Sequence, residues 1–190
     1  MTEIEMQSES ESKSKSRVNT FWGNIFSSNK DGEDTSHFEL LKDVPLFSNL
    51  KRRELKAITN QFYKRKFESG EHVFETGQPG AAMFIVIEGE ISIIAKRNNK
   101  NIELAKLGKG EFFGELALLD NSPRSADAIA TRDTYALAIF REDLNKLMIT
   151  LPLIGGKIIK KLAIIIGMRL KATNEMLSRK NENSKEMVDD

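Results

Sequence analysis

A mainly β domain, a sandwich or barrel flanked by helices, is the fold class that this sequence of 190 residues predicts. Two observations carry it. Short apolar runs fill residues 61–140, punctuated by Gly70, Gly77, Gly80, Gly89, Gly108, Gly110 and Gly114, the texture of short strands joined by turns. Apolar residues three and four apart precede this stretch and return after it, the texture of helices.

Residues 1–36 are rich in Ser, Glu, Lys and Asn. They hold too few apolar side chains to offset the cost of ordering a backbone, so a disordered or weakly ordered tail is expected there. One island, 20–26, interrupts it, with Phe21/Ile25 and Trp22/Phe26 four apart. Such an amphipathic turn packs on the domain surface, docks a partner or, helped by Lys13, Lys15 and Arg17, touches a membrane. From 37 to 60, Leu40, Leu41, Val44, Leu46, Leu50, Leu55 and Ile58 read as helical, with a break near Pro45. Strands follow at 83–87 and 91–94 across a Glu88-Gly89-Glu90 turn. Residues 97–101 read as a hairpin turn into a strand at 102–107, and two more strands lie at 126–130 and 135–140.

Helical character returns after Arg141, where Leu144, Leu147 and Met148 form one stripe that ends near Pro152. A longer helix is expected over about 153–179, then a disordered tail at 181–190. On the long helix Ile159, Leu162, Ile166, Arg169, Thr173 and Met176 alternate three and four apart, the spacing of a coiled-coil seam. The seam either covers the sheet or joins two copies in a parallel homodimer; polar Arg169 and Thr173 within it point to the homodimer. The same helix carries Lys157, Lys160, Lys161, Arg169 and Lys171 and no acid up to Asn174. That is a solvated face or a surface for an acidic partner.

Charge and inventory exclude several functions. The formal net charge of +1 argues against a whole-chain nucleic-acid footprint. With no cysteine, disulfides, thiolate metal sites and thiol nucleophiles are out; with only His37 and His72, a histidine-built metal centre is not expected. No catalytic constellation of His/Asp/Ser or paired carboxylates stands out, so a non-enzymatic protein without a cofactor is expected. The N-terminus lacks a signal-peptide pattern, and the most apolar run, 158–168, is split by Lys160 and Lys161. A cytoplasmic location is the expectation.

The chemistry concentrates in 112–126. A strand ends at Gly114 and a one-turn helix begins, its first amides unpaired and favourable to an anion. Arg124 lies on the return path and offers a bidentate fork to a phosphate. Glu115, at the helix start, offers an acceptor for hydroxyls. Together they describe a sugar-phosphate site; the structural alternative is that Glu115 and Arg124 pair with each other.

This stretch, Phe112-Phe113-Gly114-Glu115-Leu116-Ala117 through Pro123-Arg124-Ser125-Ala126, resembles the phosphate-binding cassette of the cyclic-nucleotide-binding domain family. The likeness extends over roughly residues 38–180. It includes Leu46-Phe47 with Leu50, the Gly70-Glu71 turn, Gly77-Gln78-Pro79-Gly80 and the strand from Phe84 to Gly89. The resemblance implies a double-stranded β-helix, or jelly-roll, barrel with N-terminal helices and a long C-terminal helix. It implies that Glu115 accepts from the ribose 2′-hydroxyl and that the amides of Leu116 and Ala117 hold the cyclic phosphate. Arg124 would pair with the exocyclic oxygens, Ser125 would add a hydroxyl, Ala126 would leave room, and Gly114 would permit close backbone approach. On the long helix, Arg169 to Glu175 resembles the base-contacting segment of the catabolite-type branch. Thr173 matches the threonine that binds the adenine amino group, and Asn174 stands where that branch has a serine reaching across from the other subunit. No aromatic residue follows Phe140, so any lid over the base is aliphatic or the Arg169 side chain.

The resemblance implies a cyclic nucleotide receptor, with cyclic AMP favoured over cyclic GMP, that relays occupancy through its C-terminal helix to an effector protein. The alternative is a docking module of the same fold that needs no nucleotide. No winged helix-turn-helix follows the long helix in this sequence, so a stand-alone member without sequence-specific DNA binding is expected.

Overall fold

The computed structural model describes residues 34–97 and 100–186; the island at 20–26 lies outside them. The N-terminal helical segment consists of α1 (Asp34–Leu41), a 3₁₀ turn at Pro45–Phe47, α2 (Arg52–Lys56) and a second 3₁₀ turn at Thr59–Gln61. Pro45 opens its turn, where its missing N–H would have had no partner. Eight strands follow: β1 (Tyr63–Phe67), β2 (His72–Phe74), β3 (Ala82–Glu88), β4 (Ile91–Arg97), β5 (Lys100–Leu107), β6 (Phe112–Phe113), β7 (Asp127–Ala130) and β8 (Thr134–Phe140). Between β6 and β7 sits α3 (Leu116–Leu119), and after β8 come α4 (Arg141–Thr150) and α5 (Pro152–Glu186).

All pairings are antiparallel, in two four-stranded sheets ordered β1-β8-β3-β6 and β2-β7-β4-β5. This is the strand order of a jelly roll. Strands β3 and β8 are interior in their sheet, and their period-two alternation divides two cores. Met83, Ile85, Leu137 and Ile139 face outward into a core built with the helices, including Leu41, Leu46, Ile58, Leu144 and Leu147. Val86 and Ala136 face inward, with Phe74, Ile91, Leu107, Phe113 and Ala128 from both sheets. Inside, Phe84 and Phe113 stack at 5.5 Å between ring centroids, and Phe74 lies 5.8 Å from Phe113. Small residues share this interior with the aromatic stack: Ala128 and Ala130 on β7 of the opposite sheet, and Ala136 on β8 beside β3.

The strands expected at 83–87, 91–94, 102–107, 126–130 and 135–140 correspond to β3, β4, β5, β7 and β8. The hairpin turn is tighter than 97–101, since β4 runs to Arg97 and β5 starts at Lys100. Strands β1 and β2 were not singled out by sequence. The long helix begins as expected and continues to Glu186.

The seam on that helix needs a correction. Leu162 is fully buried within its own domain, and Ile159 and Ile166 pack partly against the same core. The N-terminal half of the seam therefore covers the domain's own sheet and helices. Arg169 turns back onto β6, and Met176, 70% exposed, stands past the domain. One heptad stripe thus serves two environments in succession. No helix among the described residues is long and apolar enough to cross a membrane.

Candidate functional site

The segment after β6 turns at Gly114, whose φ of +72° is left-handed. A Cβ there would lie 2.6 Å from Arg124 Nη1 and 3.3 Å from the Ala82 carbonyl oxygen, so both the turn and the packed guanidinium require glycine. Glu115 then starts α3. The Ala117 amide donates to the Gly114 carbonyl at 3.2 Å and the Leu118 amide to that of Glu115 at 3.0 Å. The turn closes with i→i+3 bonds, so the Ala117 amide, expected to be unpaired, is used inside it. Ala117 is buried and Leu116 half-exposed.

Three contacts from a distance hold this turn. Arg141, the first residue of α4, donates through Nε to the Ala117 carbonyl at 2.6 Å, and its Nη groups donate to the Asn121 side-chain oxygen and the Gly80 carbonyl. Gly80 lets the turn approach: a Cβ on it would sit 2.8 Å from the Ala117 Cβ. Arg169 reaches from α5, donating to the Phe112 carbonyl at 3.0 Å and to Glu115 Oε1 at 3.2 Å while its guanidinium lies 4.5 Å above the Phe112 ring.

Arg124 is the buried charge of the site, 9% exposed. Its Nη1 donates to the Gly114 carbonyl at 3.1 Å and its Nη2 to the Ala82 carbonyl at 2.8 Å. The guanidinium lies 3.9 Å from the centre of the Phe74 ring, and its buried Nε has no hydrogen-bond partner. Burial and the neighbouring Arg141 push its pKa from 12.5 down to about 10, with Glu115 opposing them. Among the described residues no carboxylate lies within ion-pair distance of it. The structural alternative of a Glu115–Arg124 pair is not formed: Glu115 pairs with Arg169, and Arg124 bonds only to neutral carbonyls.

The structure thus brings together Gly114, Glu115, Arg124 and Arg169, residues up to 55 positions apart in the chain. Ser125 is exposed beside Arg124 and Ala126 is buried. Thr173 and Asn174 are exposed on α5, and the Thr173 hydroxyl donates to the Arg169 carbonyl at 2.9 Å along its own helix. It caps the turn that presents Arg169 rather than reaching across to α3. Sequence reasoning missed Phe74, Gly80, Ala82 and Arg141. Only Gly80 carried a signal, as part of Gly77-Gln78-Pro79-Gly80; the others act through positions that only the folded sheet defines.

A buried guanidinium bonded only to neutral groups has the chemistry to take an anion, and a carboxylate beside it has the chemistry to accept from hydroxyls. Residues 64–150 match the family model for the cyclic nucleotide-binding domain. The chain is 36% identical over 132 residues to the cyclic AMP receptor protein of Thermus thermophilus, covering 69% of this chain and 59% of that one. It is 32% identical over 100 residues to the cAMP-dependent protein kinase type II regulatory subunit of Drosophila melanogaster, covering 53% of this chain and 26% of the subunit. Among solved structures, a cyclic nucleotide-binding domain from Methylobacillus flagellatus superposes with a TM-score of 0.71 at 24% identity, over 78% of this chain and 86% of that one. The catabolite activator protein of Thermus thermophilus gives 0.64 at 35% identity, over 70% and 62%.

Proposed function

We propose that the chain is a member of the cyclic nucleotide-binding domain family, whose model matches residues 64–150, and that it is a cytoplasmic, non-enzymatic receptor for a cyclic nucleotide, with cyclic AMP favoured over cyclic GMP. One observation carries the reading: Arg124 is a buried cation that forms no ion pair with any carboxylate of the described residues. The cyclic phosphate is a compact monoanion that supplies the missing charge, and Ser125 adds a hydroxyl beside it. The ribose is held by the Glu115 carboxylate, which in the free chain is engaged by Arg169. Thr173, one turn beyond Arg169 on the same face of α5, and Asn174 next to it take the base. The preference for cyclic AMP is supported by Thr173 and by the named ligand of the relatives at 36% and 32% identity.

Occupancy is relayed because ligand and helix share Glu115. A ribose hydroxyl on that carboxylate changes what Arg169 meets, and a ligand that distinguishes two positions of α5 shifts the balance between them by that difference in affinity. The output is read by an effector protein, and α5 beyond Arg169 serves as the contact for a second copy of the chain. This is where exposed Met176 stands.

Calorimetric titration with cyclic AMP and cyclic GMP tests the ligand, and thermal melting with and without each nucleotide tests its effect on the native state. Cyclic AMP should raise the melting temperature. If neither nucleotide binds or stabilises, the receptor reading falls and the docking module of the same fold replaces it. For the second copy, Met176→Asp should lower the mass seen in light scattering. A parent that is already monomeric removes that contact.

A further inference from the structure

The loop between β2 and β3 is stitched to the return segment 123–127. The Gly77 amide donates to the Arg124 carbonyl at 2.8 Å, the Arg124 amide donates to the Gln78 carbonyl at 2.9 Å, and Pro79 and Pro123 form an isolated bridge. Both backbone polar groups of Arg124 are therefore engaged by this loop. Arg141 holds the far end of the loop at the Gly80 carbonyl, and a side chain of β7 holds its start. Asp127, the first residue of β7 and 3% exposed, accepts through Oδ1 from the Thr76 amide and the Thr76 hydroxyl, each at 2.7 Å. Its Oδ2 accepts from Lys96 Nζ on β4 at 3.0 Å. Within the loop, the Glu75 amide donates to the Gln78 side-chain oxygen at 3.0 Å, which closes the turn without fixing it to the sheet.

A guanidinium on a long side chain is placed by its backbone first and by its contacts second. Phe74, Gly114 and Ala82 define where the Arg124 head rests, but they sit on β2, the α3 turn and β3, while the Cα they must meet is held by the loop. Binding geometry tolerates errors of only about 0.5 Å. A carboxylate is suited to this anchoring, because one oxygen takes two donors from Thr76 while the other is neutralised at the edge by Lys96. Burial alone would raise the Asp127 pKa; the Thr76 bonds and Lys96 outweigh it and hold the group down at about 2, so it stays ionised at neutral pH.

We propose that Asp127 is a positioning residue for Arg124: by anchoring Thr76 it holds residues 76–79 against the backbone of position 124 and so sets where the guanidinium meets an anion. This rests on the reading of Arg124 as the phosphate ligand, but half of its test needs no ligand. Asp127→Ala, Asp127→Asn, Thr76→Val and Lys96→Met are compared with the parent in amide hydrogen exchange of the free chain, in cyclic AMP affinity by calorimetry, and in melting temperature. Asp127→Ala should speed exchange at the Gly77 and Arg124 amides and weaken cyclic AMP about tenfold, which corresponds to about 1.4 kcal/mol. Asp127→Asn keeps an acceptor for Thr76 and should restore most of both. Lys96→Met removes the ion pair and leaves the anchor, so it should melt lower while exchange and affinity stay within about threefold of the parent. If Asp127→Ala does not fold, Thr76→Val carries the same two readouts. Unchanged exchange at Gly77 and Arg124 in Asp127→Ala and Thr76→Val overturns the proposal whether or not cyclic AMP binds. It is equally overturned if affinity simply follows melting temperature across all the variants, Lys96→Met included. A parent that binds no cyclic AMP sinks the receptor reading, and the exchange data still decide the role of Asp127.

Discussion

Replacing Arg124 by methionine separates the cost of a buried cation from its use. The depression of its pKa from 12.5 to about 10 corresponds to roughly 3 kcal/mol of disfavour for the charged form in the folded chain. The sign follows from the direction of the shift. A base whose folded pKa is depressed is charged in both states at neutral pH, the folded state carries the penalty, and relief comes only above about pH 10. Against this stand the two charge-assisted bonds to the Gly114 and Ala82 carbonyls, each worth about 1.5–3 kcal/mol. The opposing contributions are of the same size, and methionine keeps an unbranched apolar stem against Phe74. Free Arg124→Met should therefore melt within about 5 °C of the parent, since 1 kcal/mol moves a domain of this size by about 2–4 °C. With cyclic AMP at 100 times its Kd the parent gains about 2.7 kcal/mol, a rise of about 5–10 °C, and the variant should gain none. Differential scanning calorimetry reads all four states. A variant that keeps the nucleotide-dependent rise refutes the phosphate role. A free variant that melts more than about 10 °C lower shows that the guanidinium holds the fold, and the argument from an unmet charge collapses.

The helix that carries Arg169 offers a second perturbation. Nucleotide should slow hydrogen exchange in 114–119 and in 165–177 of the parent, and Thr173→Ala should keep the first protection and lose much of the second; equal protection in both proteins removes Thr173 from the relay. Core position 162 gives a third, because Leu162 is fully buried. Leu162→Ala should lower unfolding stability in urea by about 2–5 kcal/mol, and a variant of parental stability that merely halves in mass would return Leu162 to an intermolecular seam. Acid gives the fourth: the Asp127 carboxyl, ordinarily near 3.8 and held at about 2, contributes stability that is complete above about pH 4 and lost as pH falls through 2, amounting to about 2 kcal/mol. Urea midpoints of Asp127→Asn should fall less than the parent's between pH 4 and pH 2, and identical slopes would remove Asp127 from the acid response.

How much of this was legible in the sequence depended on the range of the forces involved. β3 and β4 showed as apolar runs about Gly89 because a strand buried on both faces needs apolar residues at every position. β1 did not show, since Lys64, Arg65 and Lys66 occupy its middle; Arg65 is buried there despite its charge, which breaks the alternation that marks a half-buried strand. β2 has three residues, too few for any period. The Gly114-Glu115 turn and Arg124 were legible because turn chemistry is local and a fork of donors is intrinsic to arginine. Which carboxylate met which arginine was not, because the answer lies in α5, whose approach to Glu115 is set by packing around Leu162. Arg141 was hidden for the same reason: nothing about an arginine after an apolar strand says that its guanidinium will meet the carbonyls of Gly80 and Ala117.

The length of α5 gives the molecule a lever. Among the described side chains its domain-facing contacts run from Ile154 to Arg169, whereas the helix itself continues to Glu186. At 1.5 Å per residue the overhang is about 25 Å, so a tilt of roughly 10° about the Arg169 contact would carry its tip through about 4 Å. That travel exceeds the reach of a hydrogen bond. An interface seated near the tip could then be made or broken by a displacement at Glu115 too small to repack the barrel.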